Sequence, residues 1–397
     1  MSSTDGRTAY PKSVAPLLPI YKRVWYAVTV FILQKLILLP LLTLRNYRLD
    51  YTVRKSSPDI VKKYACRPRL PIRVFIPSSY DRTSSQRLPT VFTVHGGGFV
   101  LGCPEDNDDW NRTFCDMHSV LVVALNYAKA PTNCFPGPVH DVESLFHAAL
   151  ADVSLPIDPH RLAMLGFSAG GNLILATAQL PSMLHKAADG SSSSSLAALV
   201  PIYPVVDFTV SHEEKAAAGR RRYKPQLGGF RGRTRDYLTA MAERFDWAYI
   251  PAGHDLRDPL LSPVFAQAEA LPKNVFMIAC ELDMLAHEAW RLVCRLAGRE
   301  VSGKMVGREE LSPPGSLILD DPRFHFEERR RGGNYKWLLV PDSVHGFDQE
   351  MDQIARDEEM TKDAKVRRGK MQRLIGDWLF AGPFLRAGEV KTPMKAV

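Results

Sequence analysis

Residues 161–180 read RLAMLGFSAGGNLILATAQL, and no other stretch limits the possible folds of this chain so strongly. An apolar run of strand length ends at Gly166-Phe167-Ser168-Ala169-Gly170, and a helical pattern begins there. A strand that feeds a helix through a glycine-rich turn is half of a parallel crossover unit, because parallel neighbours need a long connection. The same alternation recurs on both sides. Apolar runs at 72–77, 89–94 and 120–127 come before it, and runs at 197–203, 274–280 and 336–340 come after. Helical stretches are expected at about 138–151 and 361–380. Strands alternating with helices imply an α/β chain with a mostly parallel sheet covered on both faces.

Composition narrows the class further. The 397 residues allow two domains or one large domain with insertions. Hydrophobic residues at 45% and charged residues at 24% exclude a disordered chain, a collagen-like repeat and a multi-span membrane protein. Six cysteines without a C-x-x-C pair are too dilute for a disulfide scaffold. The net charge of +8 is concentrated in two stretches, 45–73 and 219–235, which carry +7 each and leave −6 for the rest. Neither stretch has a groove-reading motif or an aromatic-rich basic module, so no nucleic-acid partner is expected. They read as a stretch beside a membrane surface and a solvated insertion.

The segment Val24–Leu44 is apolar apart from Gln34, Lys35 and two threonines, and is long enough to span a bilayer as a helix of about 20 residues. It predicts membrane association, in single-pass form, with the endoplasmic reticulum as a fitting compartment. The alternative is a cytoplasmic protein whose helix lies on the catalytic domain or on a membrane surface, Gln34 and Lys35 facing water. Lys22 and Arg23 before the segment and Arg45 and Arg48 after it give no orientation. Residues 1–70 therefore form a tail, an anchor or cap helix and a basic stretch. Residues 71–207 and 256–380 read as the two parts of the core, 208–255 and 302–335 as insertions, and 381–397 as a tail.

The chemistry gathers at a few positions. In Gly166-Phe167-Ser168-Ala169-Gly170 the strand-to-helix setting holds a serine hydroxyl out above a sheet, and side chains at the two outer glycines would clash across so tight a turn. His95-Gly96-Gly97-Gly98 follows the strand at 89–94, and about 0.003 such matches arise by chance in this composition. A run of small residues lets backbone N–H groups face a carbonyl oxygen on which negative charge grows. His95 reads as structural rather than as a proton carrier. A serine nucleophile needs a base, and the base needs an orienting acid. His345 has the best context for the base, in a short loop after the strand at 336–340. The acid is expected at a strand end between the two. Asp283 fits, ahead of Asp342 on the histidine's own loop and Glu281 at the strand's last positions. The order Ser, Asp, His is that of the α/β-hydrolases. Dispersed histidines, no H-E-x-x-H and no Walker loop imply no metal and no nucleotide cofactor.

Together, HGGG, GFSAGGN and the acid site resemble the hormone-sensitive-lipase-like branch of the α/β-hydrolase superfamily, over about residues 72–380. Asn126-Tyr127-Ala128-Lys129-Ala130-Pro131, Tyr203-Pro204-Val205-Val206-Asp207 and Asp258-Pro259-Leu260-Leu261-Ser262-Pro263 resemble further motifs of that branch. The resemblance implies an α/β-hydrolase fold with a helical cap built from N-terminal residues and 208–255. It implies an oxyanion hole from the N–H groups of Gly97, Gly98 and Ala169. It also implies carboxylic-ester hydrolysis, of small or medium acyl groups, through an acyl-enzyme on Ser168. An amidase or formamidase with the same triad and a non-catalytic receptor on the same fold are the alternatives. The chain departs from the branch at Phe167, Asn126 and Lys129. It departs again in the 62 residues between Asp283 and His345, about twice the branch's usual spacing.

Overall fold

The computed structural model describes residues 14–40, 56–186, 192–216, 222–301, 306–349 and 357–385. Nine strands form one sheet: β1 Ile60–Lys62, β2 Ile72–Phe75, β3 Leu88–Val94, β4 Leu121–Leu125, β5 Ile157–Phe167, β6 Ala198–Ile202, β7 Asn274–Cys280, β8 His325–Arg330 and β9 Gly333–Val340. Their order is β1-β2-β4-β3-β5-β6-β7-β9-β8. The six strands from β4 to β9 are mutually parallel, whereas β1, β2 and β8 at the two edges pair antiparallel. This is the α/β-hydrolase architecture.

The main helices are α1 Ile20–Phe31, α2 Asp108–His118, α3 Gly137–Leu150, α4 Ala169–Thr177, α5 His212–Ala216, α6 Ala242–Tyr249, α7 Ala286–Ala297 and α8 Glu358–Ala381. Side chains on a strand alternate between faces, and here both faces are covered. Phe92 and Val94 of β3 belong to one apolar layer with α3, α4 and α7, while Val91 belongs to the opposite layer with α2 and α8. All three are buried, and truncating a ring such as Phe92 to alanine costs about 3–5 kcal/mol. Asp357 starts α8 by accepting the Met360 N–H at 2.9 Å, the expected role of an N-cap carboxylate.

Two edge strands lay outside the sequence reading. The 302–335 stretch, expected as an exposed excursion, ends in β8, and Phe324 and Phe326 are buried beneath it. Its HFEERR sequence turns a single buried side chain inward, and charge protects an edge strand from further pairing. Gly190 and the five serines after it read in the sequence as a surface loop; Ser192–Ser194 instead pair with Leu184–Lys186 in a small hairpin, and Gly190 and Ser191 lie outside the described residues.

The N-terminal segment corrects the membrane-span expectation. Among the described residues no helix is long and apolar enough to cross a membrane, and Leu41–Leu44 lie outside them. Instead α1 runs into a π-helical stretch, Ile32–Leu38, laid on the protein. Tyr26 and Val30 are buried, the Gln34 amide donates to the carbonyls of Val100 and Ala130 at 2.8 Å each, and Leu38 lines a cavity. Steps of four residues drift by about 40° each on an α-helix. The wider π turn takes up that drift and keeps Leu38 on the packed face. Gln34, expected to face water, is therefore an inward anchor, whereas Lys35 is exposed.

The basic stretches are also folded in. Arg73 pairs with Asp108 at 2.5 Å, Arg67 with Asp141 at 2.5 Å and Arg231 with Asp363 at 2.8 Å. Residues 45–55, Arg220 and Arg221 lie outside the described residues.

Candidate active site

Three strands end at one side of the sheet, and the loops after them carry the three sequence-predicted polar residues. β5 ends at Phe167, and Ser168 follows with φ +52° and ψ −117° before α4 begins. That left-handed backbone is tolerated because the turn is otherwise bare. A Cβ on Gly166 would stand 2.3 Å from the Gly170 carbonyl, and one on Gly170 would stand 2.2 Å from the Val94 carbonyl. The Ser168 N–H donates to the Ile202 carbonyl at 2.9 Å, tying the turn to β6. Asn172, one turn into α4, donates to the carbonyls of Val205 and Leu261 at 2.9 Å each.

His345 Nε2 lies 2.8 Å from Ser168 Oγ, and its Nδ1 lies 2.7 Å from Asp283 Oδ2. Asp283 is wholly buried, and its second oxygen accepts the Leu285 N–H at 2.9 Å. The carboxylate on Nδ1 fixes the tautomer that leaves Nε2 a lone pair toward the serine. Burial alone would lower the His345 pKa. The charge and hydrogen bond of Asp283, with Asp236 and Asp348 nearby, outweigh it and hold the imidazole above its ordinary value. Tyr237 donates to the His345 carbonyl at 2.7 Å, so the 208–255 segment also grips the histidine loop.

The other two carboxylates considered for the acid are engaged elsewhere. Lys224 reaches Glu281 at 2.8 Å and Asp342 at 2.6 Å, with all three side chains at most 1% exposed. Glu281 also accepts the Asp342 and Arg308 N–H groups, and Asp342 accepts that of Ser312. Lys224 belongs to the stretch read as a solvated insertion. A buried amine needs such partners, and here it joins that insertion to the ends of β7 and β9.

Gly97, with φ +108°, and Gly98 lie in the turn after β3, and their N–H groups donate to no backbone acceptor among the described residues. Ala169 is the first residue of α4, where a helix N–H has no intrahelical partner. All three line a cavity of about 560 Å³ with Ser168, His345, Phe167 and Phe245. Below the turn, His95 Nδ1 meets the Gly96 carbonyl at 2.8 Å, while Lys129 Nζ approaches Nε2 at 3.1 Å. Burial and the neighbouring Lys129 push the His95 pKa well down, so the ring is neutral and serves the loop. Tyr127 donates to the Gly96 carbonyl at 3.0 Å and stacks on His95 with ring centroids 4.4 Å apart. Sequence reasoning missed Lys224, Tyr237 and Phe245. They sit in segments without strand alternation or a catalytic motif, and only the tertiary fold brings them to the site.

A sequence profile described as the alpha/beta hydrolase fold matches residues 91–310, more than half of the chain. The chain belongs to the α/β-hydrolase family. Within it, the motifs place the chain in the hormone-sensitive-lipase-like branch. An arylesterase of Saccharolobus solfataricus is 29% identical over 228 residues, covering 57% of this chain and 66% of that protein. Human arylacetamide deacetylase-like 2 is 29% identical over 171 residues, covering 42% and 41%. The matches thus span less than two thirds of either relative. A hyperthermophilic esterase from Pyrobaculum calidifontis superposes with a TM-score of 0.57 at 23% identity, covering 91% of this chain and 99% of that one. That likeness is one of fold.

The three carboxylates separate by readout. Asp283→Asn should lower ester turnover by about 10⁴-fold with little loss of melting temperature, because the imidazole then takes the wrong tautomer. Glu281→Gln and Asp342→Asn should lower the melting temperature, since disrupting a buried pair costs up to about 3–5 kcal/mol, while leaving more than a tenth of the activity. Turnover and thermal melts of the three variants check this. Asp342→Asn emerging as the most damaging to turnover would transfer the acid's role to that residue.

Proposed function

We propose that this α/β-hydrolase cleaves carboxylic esters of small or medium acyl groups through an acyl-enzyme on Ser168. The observation that carries the proposal is the hydrogen-bonded chain Ser168–His345–Asp283 opening on an apolar cavity that three unspent backbone donors also face. His345 takes the proton of Ser168 as Oγ bonds to the ester carbonyl carbon. Charge then grows on the carbonyl oxygen, where the N–H groups of Gly97, Gly98 and Ala169 receive it. Removing one such donor from a preorganised site costs about 3–4 kcal/mol. The imidazolium returns its proton to the leaving alkoxide, and Asp283 stabilises the charged ring throughout. Water, deprotonated by His345, then releases the acid. Phe245 over Gly98, Tyr237 on the histidine loop and Leu38 on the rim make the N-terminal segment and the 208–255 segment a cap over this reaction.

The same geometry serves an amide. The name of the human relative supports keeping that second substrate class, and matched ester and amide substrates separate the two.

The N-terminal segment supports a further part of this reading, contact with a lipid surface rather than passage through a membrane. Opposite its packed stripe, α1 and the π-helical stretch expose Val24, Trp25, Val28, Phe31, Ile32 and Leu36, with Lys22 and Arg23 alongside. An apolar face carrying an exposed tryptophan and flanked by cations suits the plane of a bilayer interface.

Three outcomes follow. Ser168→Ala should lose at least about a thousandfold in ester turnover while keeping its thermal melt; a folded variant with more than a tenth of wild-type rate sinks the nucleophile. Because the base must be neutral and its pKa is raised, kcat/KM should climb with pH along a limb lying above the ordinary imidazole value. In Asp283→Asn the residual limb should move to lower pH, and an unmoved limb would assign the titration to another group. In flotation with phosphatidylcholine–phosphatidylserine vesicles, the full chain should rise with the lipid and the Trp25→Ser/Val28→Ser/Phe31→Ser variant should remain below. A full chain that stays below ends the lipid-surface reading.

A further inference from the structure

A second cavity, of about 580 Å³, lies between the N-terminal segment and α6, and the mechanism above makes no use of it. Its wall is mostly apolar, including Leu18, Pro131, Ile250 and Leu256. Phe208, His212 and Asp246 line this cavity and the catalytic one alike, so they stand between the two. His212 Nε2 meets Asp246 Oδ2 at 2.8 Å, which ties α5 to α6 across the partition. Phe208 is buried, with its ring 6.3 Å from that of Phe99 on the catalytic side. Its main chain is pinned. The Phe208 N–H donates to Ser262 Oγ at 3.0 Å, and Asp207 before it accepts from Arg291 at 2.9 Å. The side chain is thus the part of Phe208 that fills the space between the cavities.

We propose that the second cavity holds the distal aliphatic end of a long ester, and that Phe208 with the His212–Asp246 pair is the partition that sets the chain length admitted. The inference rests on the ester-hydrolase reading and adds its substrate range. A cavity of this size is within the range of ligand sites, and apolar walls favour a hydrocarbon chain over a charged group. Each methylene moved from water into such a place strengthens binding by about fourfold. Charged groups at the cavity, Lys22 and Arg23 against Glu213, Glu243 and Asp246, are mixed in sign and give no preference for an anionic chain end.

The test measures kcat/KM for a four-carbon and a twelve-carbon chain in two series, one with the chain in the acyl group of p-nitrophenyl esters and one with it in the alcohol of acetates. Phe208→Ala should raise the twelve-to-four ratio at least about tenfold in one series, as expected when several more methylenes become buried. The series that responds tells whether the acyl or the alcohol limb enters. Adding Ala252→Trp, a bulky ring at a residue that lines the second cavity and not the catalytic one, should return the ratio to near wild type. Phe208→Leu provides a graded version if the alanine variant melts early. A ratio unchanged in both series, or a gain that Ala252→Trp does not reverse, overturns the partition. A wild-type chain that hydrolyses no ester in either series overturns the ester-hydrolase reading instead.

Discussion

The geometry of this protein depends on how closely the main chain can approach itself where β5 becomes α4. Gly170 lies against the Val94 carbonyl at the end of β3, and Gly166 lies against Gly170. These contacts leave room for hydrogen only, so the turn stays tight and Ser168 stays in a left-handed backbone above the sheet. Everything else at the site is placed relative to that hydroxyl. The HGGG turn is the direct continuation of β3, so the strand that limits the elbow also delivers the backbone donors. Strain at Ser168 is thus supported by two neighbouring strands rather than by the loop alone.

His345 and Asp283 arrive from the far half of the sheet, and a buried charge cluster holds that half in register with the 208–255 segment. β7 and β9 are adjacent and parallel, and the N–H groups of Glu281 and Leu282 bond across to Val340 and Ser343. Lys224 then joins Glu281 to Asp342. Three charges this deep stabilise little by themselves, because desolvation offsets most of their attraction. Their effect is positional. With Lys224 fixed, the 208–255 segment can place Tyr237 on the His345 carbonyl and Phe245 over Gly98. Two carboxylates that could have competed for the histidine are occupied by the same amine.

Most of the fold was legible because strands buried on both faces read as continuous apolar runs, and all seven such runs are strands. The edge strands β1 and β8 were not legible, since one is three residues long and the other carries mainly charge, as unpaired edges do. The candidate site residues were legible wherever a tight turn or a strand end constrains residue type, as at Ser168, Gly97, Asp283 and His345. Tyr237, Phe245 and Lys224 were not, because their contacts are with residues far away in the chain. The apolar segment Val24–Leu44 misled for a related reason. Composition counts apolar residues but not the face they occupy, and Tyr26, Val30 and Gln34 face the protein while their neighbours face outward.

Two of the positions where this chain departs from its branch of the family, Asn126 and Lys129, lie together beneath the HGGG turn, and they compensate one another. Asn126 accepts the Tyr127 N–H at 2.8 Å, and its side-chain oxygen lies 3.3 Å from Lys129 Nζ. Lys129 donates to the Tyr127 carbonyl at 2.5 Å and lies over the Tyr127 ring at 3.7 Å from its centroid. Burial lowers the Lys129 pKa to about 7, so the amine can sit there without a carboxylate partner of its own. Its N–H toward His95 Nε2 is available in either protonation state, and the imidazole can therefore keep its own N–H on the Gly96 carbonyl. Tyr127 bonds that same carbonyl from the other side. An amide and an amine, where the branch usually has an acid and a leucine, thus build a support without a carboxylate under the turn. Such a support adds no negative charge beneath the Gly97 and Gly98 N–H groups, so it does not oppose the negative charge that the proposed reaction would place there.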